Sequence, residues 1–368
     1  MLTIDMSQRS KISGREGSTR QLLELSAGYF FFYVLTGFFV KYFTSPESKG
    51  FPGMHQLEYL VYGTVGSSLV CMFVIFAFRW VRTQTERTWR VGPWHFAEEL
   101  KVLIPSGVCT AVVVPTTTLM YLLPISVMVA MVIMRGSIIV VSRLVDEILI
   151  YQGRLKRKVS AYENWAVVFA LAAVSSKVFF SRTRPGEDPF DFARSPVALV
   201  ILTTYILAYG IRIYLMNRFK LGRSDSRPLD SKAFFAVEQI VCSVTLGVVL
   251  VGLAALGAQS AEGDALSIIY ASATFSTDGA ALASVSGSAF GFAAFFSVFL
   301  FLFKGRSATF NGLVNRLTSL IAGTASTLLF AIGFRGSYPS MDDWIAMGLI
   351  GVAVFFLTLA EREVHQQR

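Results

Sequence analysis

Ten long apolar stretches constrain this chain more than any other feature of it. They run approximately over 22–43, 56–79, 101–122, 126–149, 161–180, 196–217, 232–257, 285–303, 311–334 and 341–360. Each is close to the roughly 20 residues that a helix, rising about 1.5 Å per residue, needs to cross a hydrocarbon core. Lipid cannot hydrogen-bond a peptide group, so stretches of this kind fold as helices. The third and fourth meet at the Leu123–Pro124–Ile125 corner, where proline ends a helix. Composition agrees: 15% of residues are charged and 54% hydrophobic, where soluble chains carry about 25% charge. That balance excludes a disordered protein, a cytosolic enzyme and a nucleic-acid-binding domain.

The net charge of +9 is then loop charge, and its distribution gives orientation. With the N-terminus in the cytoplasm and sides alternating, the cytoplasmic segments hold 22 Lys and Arg and the outside loops 5. The positive-inside rule therefore predicts an even number of spans with both termini cytoplasmic. A bacterial source would make the membrane the inner (plasma) membrane. The expected parts are a tail over 1–21, a first unit over 22–180, an external linker over 181–195, a second unit over 196–360 with a basic loop at 218–232, and a tail over 361–368. The first apolar stretch is of full span length, without the small-residue site of a cleaved signal.

Several chemistries lack their residues. Cys71, Cys109 and Cys242 all fall inside spans and read as buried thiols rather than disulfide partners. His55, His95 and His365 lie in loops or tails without metal-ligand spacing. There is no phosphate-binding GxxxxGK[ST] loop and no GxSxG elbow. No enzyme activity, cofactor, metal or nucleic-acid partner is expected.

The two units echo each other. Ser126 precedes Arg135 by nine residues, and Ser307 precedes Arg316 by nine. Trp165 follows Arg135 by 30 residues, in Glu163–Asn164–Trp165, and Trp344 follows Arg316 by 28, in Asp342–Asp343–Trp344. The first span of each unit carries tyrosines at i and i+4: Tyr29 and Tyr33, then Tyr205 and Tyr209. A duplicated unit of five spans must insert its second copy upside down. Inverted repeats of that kind underlie alternating access, with solute bound near the midplane between the copies.

The run Met134–Arg135–Gly136–Ser137–Ile138–Ile139–Val140, the basic turn Arg154–Leu155–Lys156–Arg157–Lys158 and Asn164–Trp165 resemble the fourth and fifth helices of the drug/metabolite transporter superfamily, the EamA-like transporters. The segment from Asn315–Arg316 to Trp344 and Leu357 resembles its ninth and tenth. The Arg135–Gly136 pair and Glu238 are similar to the chloroquine-resistance-transporter-like and solute-carrier-35-like branch, although Gln239 stands where that branch has glycine. The resemblance implies an all-α integral membrane protein of ten transmembrane helices in two inverted five-helix repeats, moving small organic solutes without ATP.

Ionisable side chains at depth are costly, about 2.5–3.5 kcal/mol each on insertion scales, and mark candidate sites. Arg135 lies about 13 Å into its span by helical rise. It either lines a central cavity or holds carbonyl groups of neighbouring helices together, and Arg316 is its counterpart. Glu238 either binds a coupling proton or pairs with Arg212 or a loop cation. Arg143 is spaced to pair with Asp146 and Glu147, as a fixed cluster or as a cytoplasmic gate. Glu58 is expected in water, and Lys41 and Lys177 reach the membrane surface.

The expected solute site is therefore Arg135, Tyr33, Tyr209, Tyr205, Glu238 and Arg316, with Glu238, Asp146 and Arg143 as coupling or gating residues. The partners are a small organic solute, the lipid bilayer and, through Glu238, protons. Two arginines argue for an anion and Glu238 for a cation or a proton, so the sign of the solute stays open. The other reading is a non-transporting receptor or assembly subunit, with a centre packed solid.

Overall fold

The computed structural model describes residues 18–81, 88–91, 94–122, 127–155, 159–180, 195–222, 229–261, 263–274, 278–334, 338–339 and 341–366. The helices are α1 (Thr19–Thr44), α2 (Gln56–Ala77), α3 (Leu100–Leu122), α4 (Val127–Tyr151), α5 (Ala161–Phe180), α6 (Pro196–Leu221), α7 (Ser231–Gly257), α8 (Ala265–Ala273), α9 (Ala280–Ser286), α10 (Ser288–Phe301), α11 (Ala308–Phe334) and α12 (Met341–Gln366). Among the described residues, eight segments are long and apolar enough to cross a membrane: α1, α2, most of α3, α6, α7, α9 with α10, α11 and most of α12. The chain is a multi-pass helical membrane protein. Of the ten expected spans, α4 and α5 are regular helices outside that set; α4 carries Arg135, Arg143, Asp146 and Glu147.

Local chemistry sets several starts. Ser18 caps α1 by accepting from the Gln21 N–H, and Ser195 caps α6 from Ala198, with Pro196 in the first turn. Asp230 does the same for α7 through Ala233. Three features differ from the sequence reading. A small antiparallel hairpin, β1 (Thr88–Val91) with β2 (Trp94–Ala97), sits between α2 and α3. The eighth span is split at Gly287 into α9 and α10. The last helix runs through the expected tail to Gln366. A short helix, α8, lies between α7 and α9.

Two faces are built for lipid. Leu69, Phe73 and Phe76 of α2, and Val244, Val248 and Val251 of α7, recur at steps of four and three and are 62–71% exposed. Without a hydrophobic drive between helices in lipid, close packing has to hold them together. A Cβ on Gly66 of α2 would lie 1.6 Å from the Ser284 carbonyl oxygen of α9, and one on Gly287 would lie 2.3 Å from the Gly63 carbonyl oxygen. On the other side, a Cβ on Gly107 of α3 would come within 2.8 Å of the Glu238 carbonyl oxygen of α7. α5 and α12 join through Trp165, Phe169 and Phe356, with Phe169 and Phe356 stacked at 5.5 Å.

The helices exchange neighbours. α1 packs against α10 and α11, whereas α6 packs against α3 and α4; α2 packs against α9 and α10, whereas α7 packs against α3. α4 meets α11, and α5 meets α12.

Candidate functional site

Four helices bring six polar side chains to one place. α1 contributes Tyr29 and Tyr33, one helical turn apart, with ring centroids 5.4 Å apart and tilted by 58°. α6 contributes Tyr205 and Tyr209 in nearly the same arrangement, 5.7 Å and 54°. α11 contributes Arg316, whose guanidinium carbon lies 4.6 Å from the centre of the Tyr209 ring, a cation–π distance. All four tyrosines are within its electrostatic reach. α4 contributes Arg135, half-buried and within electrostatic reach of Tyr29. Of the expected site residues, Arg135, Tyr33, Tyr205, Tyr209 and Arg316 therefore converge, and Tyr29 joins them.

Arg316 is only 9% exposed, and its Nε and Nη2 have no hydrogen-bond partner among the described residues. Buried guanidinium N–H groups are rarely left this way, because each gives up hydration without a replacement.

Glu238 lies to one side and is fully buried. Its Oε1 accepts from Arg212 Nε at 2.9 Å, Ser106 Oγ at 2.6 Å and Thr110 Oγ1 at 3.1 Å, and its Oε2 accepts from Arg212 Nη2 at 3.1 Å. Of the two roles the sequence left open for Glu238, the ion pair with Arg212 is the one this geometry contains. Ser106 and Thr110 face it because they are one helical turn apart on α3. Arg212 links the pair to the tyrosines, lying 5.8 Å from the Tyr209 ring centre on the same α6 stripe.

Asp146 and Arg143 belong to another place, the far end of α4. Asp146 is buried, and its Oδ1 and Oδ2 accept from the backbone N–H groups of Ala308 (2.8 Å) and Thr309 (2.6 Å), at the start of α11. It does not pair with Arg143, as the spacing on α4 alone suggested. Two aimed N–H donors and the positive end of a helix dipole hold a carboxylate better than one flexible cation. Arg143 pairs with Glu147 at 2.5 Å and donates to Asn164 Oδ1 at 3.0 Å.

Around Asp146 the segment entering α11 is tied down from several sides. Ser307 caps α11 through the Phe310 N–H and donates to Glu163 Oε2 of α5. Arg306 grips Glu361 of α12 through Nε and Nη2, and Glu361 also accepts from Thr19 of α1. Lys220 of α6 donates to the Arg306 carbonyl at 3.0 Å. Arg306 and Glu361 went unnoticed in the sequence; the one signal is the placement of Arg306 at the corner between two apolar runs. Two other polar residues also differ from expectation. Glu58 is half-buried, with Oε1 buried and without a hydrogen-bond partner among the described residues, and Lys41 donates to Thr327 Oγ1 of α11 at 2.6 Å. Lys177 has its side chain outside the described residues.

Two cavities open elsewhere. One of about 480 Å³ lies between α4, α5 and α6, lined by Gly136, Ser137, Val140 and Ile206 among others. Another of about 360 Å³ lies between α1, α2, α7 and α10, lined by Phe32, Cys71, Trp80 and Phe295 among others. Neither is lined by a residue of the tyrosine–arginine cluster.

No family model and no curated protein sequence matches the chain. The fold itself is similar to a solved structure described only as "Crystal structure of protein", with a TM-score of 0.57 at 13% identity, covering 94% of this chain and 99% of that one. At that identity the likeness speaks to fold alone.

Proposed function

We propose that this protein is a secondary transporter of drug/metabolite transporter type, with ten transmembrane helices in two inverted five-helix repeats and both termini in the cytoplasm. It moves a small organic solute by alternating access. The observation that carries the reading is the convergence of Tyr29, Tyr33, Arg135, Tyr205, Tyr209 and Arg316 from four helices, with Nε and Nη2 of Arg316 unmatched among the described residues. A polar site of this kind costs too much at membrane depth to serve as packing alone.

The exchange of neighbours supports the flipped repeat. The first helix of each unit packs on the third and fourth spans of the other, and the second span of each packs on the third span of the other. The matching geometry of the two tyrosine pairs supports it further. In this reading the ties around Asp146, Ser307, Arg306 and Glu361 close the cytoplasmic side, and opening requires the start of α11 to leave the Asp146 carboxylate. Glu238 is neutralised by Arg212, which favours exchange over proton coupling through that residue.

A receptor or assembly subunit on the same scaffold is the second reading. It is favoured by the packing of the cluster, which lines neither cavity. The two separate by a thermal-shift screen of metabolites on purified protein, followed by counterflow of each stabilising solute in proteoliposomes. Transport predicts counterflow that R135A and R316A each reduce at least about tenfold, the scale of one lost charge-assisted hydrogen bond. Stabilisation without counterflow favours the receptor.

A further inference from the structure

We infer that the solute is an organic oxyanion, a carboxylate or a phosphoryl group on an aromatic or similarly flat body, and that the Nε–Nη2 edge of Arg316 is its docking point. This rests on reading the tyrosine–arginine cluster as the solute site.

Three buried arginines make the case by comparison. Arg212 presents Nε and Nη2 together to the two oxygens of Glu238. Arg306 presents the same two atoms to the two oxygens of Glu361. Arg316 is the third, and the same two atoms, Nε and Nη2, have no partner among the described residues. That edge of a guanidinium carries parallel N–H bonds spaced to match two oxygens of one carboxylate or phosphate. The cation–π contact with the Tyr209 ring, at 4.6 Å, engages the guanidinium without using a hydrogen bond of its Nε–Nη2 edge.

The charge balance points the same way. Glu238 is a carboxylate near the cluster, and Arg212 cancels it. Arg135 and Arg316 then leave the site positive, and neutral tyrosine hydroxyls do not offset them. An anion entering between them regains for Arg316 the hydrogen bonds it lost on burial, whereas a cation meets repulsion from both arginines. The four tyrosine faces suit a flat apolar body behind the anionic head.

The test uses full-length protein in lipid nanodiscs and reads thermal unfolding. Benzoate, phenyl phosphate, benzamide and benzylamine are compared at equal ionic strength with chloride as the balance. Benzoate or phenyl phosphate is expected to raise Tm saturably, by about 5 °C at a hundredfold excess over Kd, and benzamide and benzylamine are not. R316M is expected to abolish that rise and to raise the Tm of the empty protein, because it removes a buried charge whose Nε and Nη2 have no hydrogen-bond partner among the described residues. R212M, which strips a paired charge, is expected to lower it. R316K keeps the charge, loses the two-pronged edge and is expected to weaken the anion response. An R316M protein that unfolds earlier than wild type, as R212M does, overturns the proposal, and so does a wild type that ignores both anions. Equal stabilisation by benzamide or benzylamine removes the oxyanion assignment alone and leaves the cluster as a solute site.

Discussion

Breaking the Arg212–Glu238 pair should be expensive, and removing it whole should not. Glu238 Oε1 accepts three hydrogen bonds and Oε2 one, and the carboxylate has no exposed surface. R212M leaves that charge buried with only the Ser106 and Thr110 hydroxyls for company. Orphaning one member of a buried pair costs about 3–5 kcal/mol. E238M nearly keeps the volume and orphans Arg212 instead, so it belongs in the same range. R212M/E238M removes both charges at nearly conserved volume, and Thr110 keeps a second acceptor in the Ser106 carbonyl. Its cost should stay within about 1–2 kcal/mol of wild type. The double-mutant cycle therefore yields a coupling energy of about 3 kcal/mol or more. At about 2 °C per kcal/mol, a value suited to a long chain, each single variant loses about 6–10 °C in Tm and the double variant no more than about 4 °C. The assay is tryptophan fluorescence on heating in a fixed detergent. Single variants within about 2 °C of wild type, or a double variant that sums the singles, would refute the reasoning and return Glu238 to the list of free titratable groups.

Three further outcomes follow from other contacts. Asp146→Asn removes the charge from the start of α11 and one of its two acceptors, so Tm should fall by an amount equivalent to about 1–2 kcal/mol; an unchanged Tm would show that Asp146 does not hold that helix. Gly66→Ala would drive a methyl group into the Ser284 carbonyl and should abolish folded protein on size-exclusion chromatography, while Gly63→Ala, whose Cβ meets only Tyr59 at 3.8 Å, should fold; equal yields of the two would contradict the α2–α9 contact. With Cys71, Cys109 and Cys242 replaced by alanine, a cysteine at Gln152 should react with an impermeant maleimide only from the cytoplasmic side and one at Ser260 only from outside; labelling of both from one side would overturn the orientation.

Eight of the apolar spans and the tyrosine pairs of the cluster were legible because both rest on short-range regularities: hydropathy over about 20 residues, and i and i+4 spacing. Arg135 and Arg316 stand out because charge at depth is rare. What was hidden depends on partners far away in sequence. Asp146 was judged against its own helix, and its true partners, Ala308 and Thr309, lie 162 and 163 residues on. Glu238 meets Arg212 across a 26-residue separation and Ser106 across 132; the pair was one of two readings, and only packing chooses between them. Gly287 splits a span that hydropathy sees as continuous, because the break serves a close crossing with Gly63 rather than any change in polarity. Arg306 and Glu361 looked like loop and tail charges, and they find each other only when α12 comes beside the start of α11.

Alternating access requires the tyrosine–arginine cluster to face each side of the membrane in turn. Its most direct measurement places a single cysteine at Tyr33, the half-buried tyrosine of the four, in the cysteine-free background. Labelling with an impermeant thiol reagent is then followed in right-side-out and in inside-out vesicles. Alternating access predicts labelling from both sides, each slowed by a solute that raises Tm. Labelling from neither side, with the protein folded, would mean a sealed centre and would contradict the account.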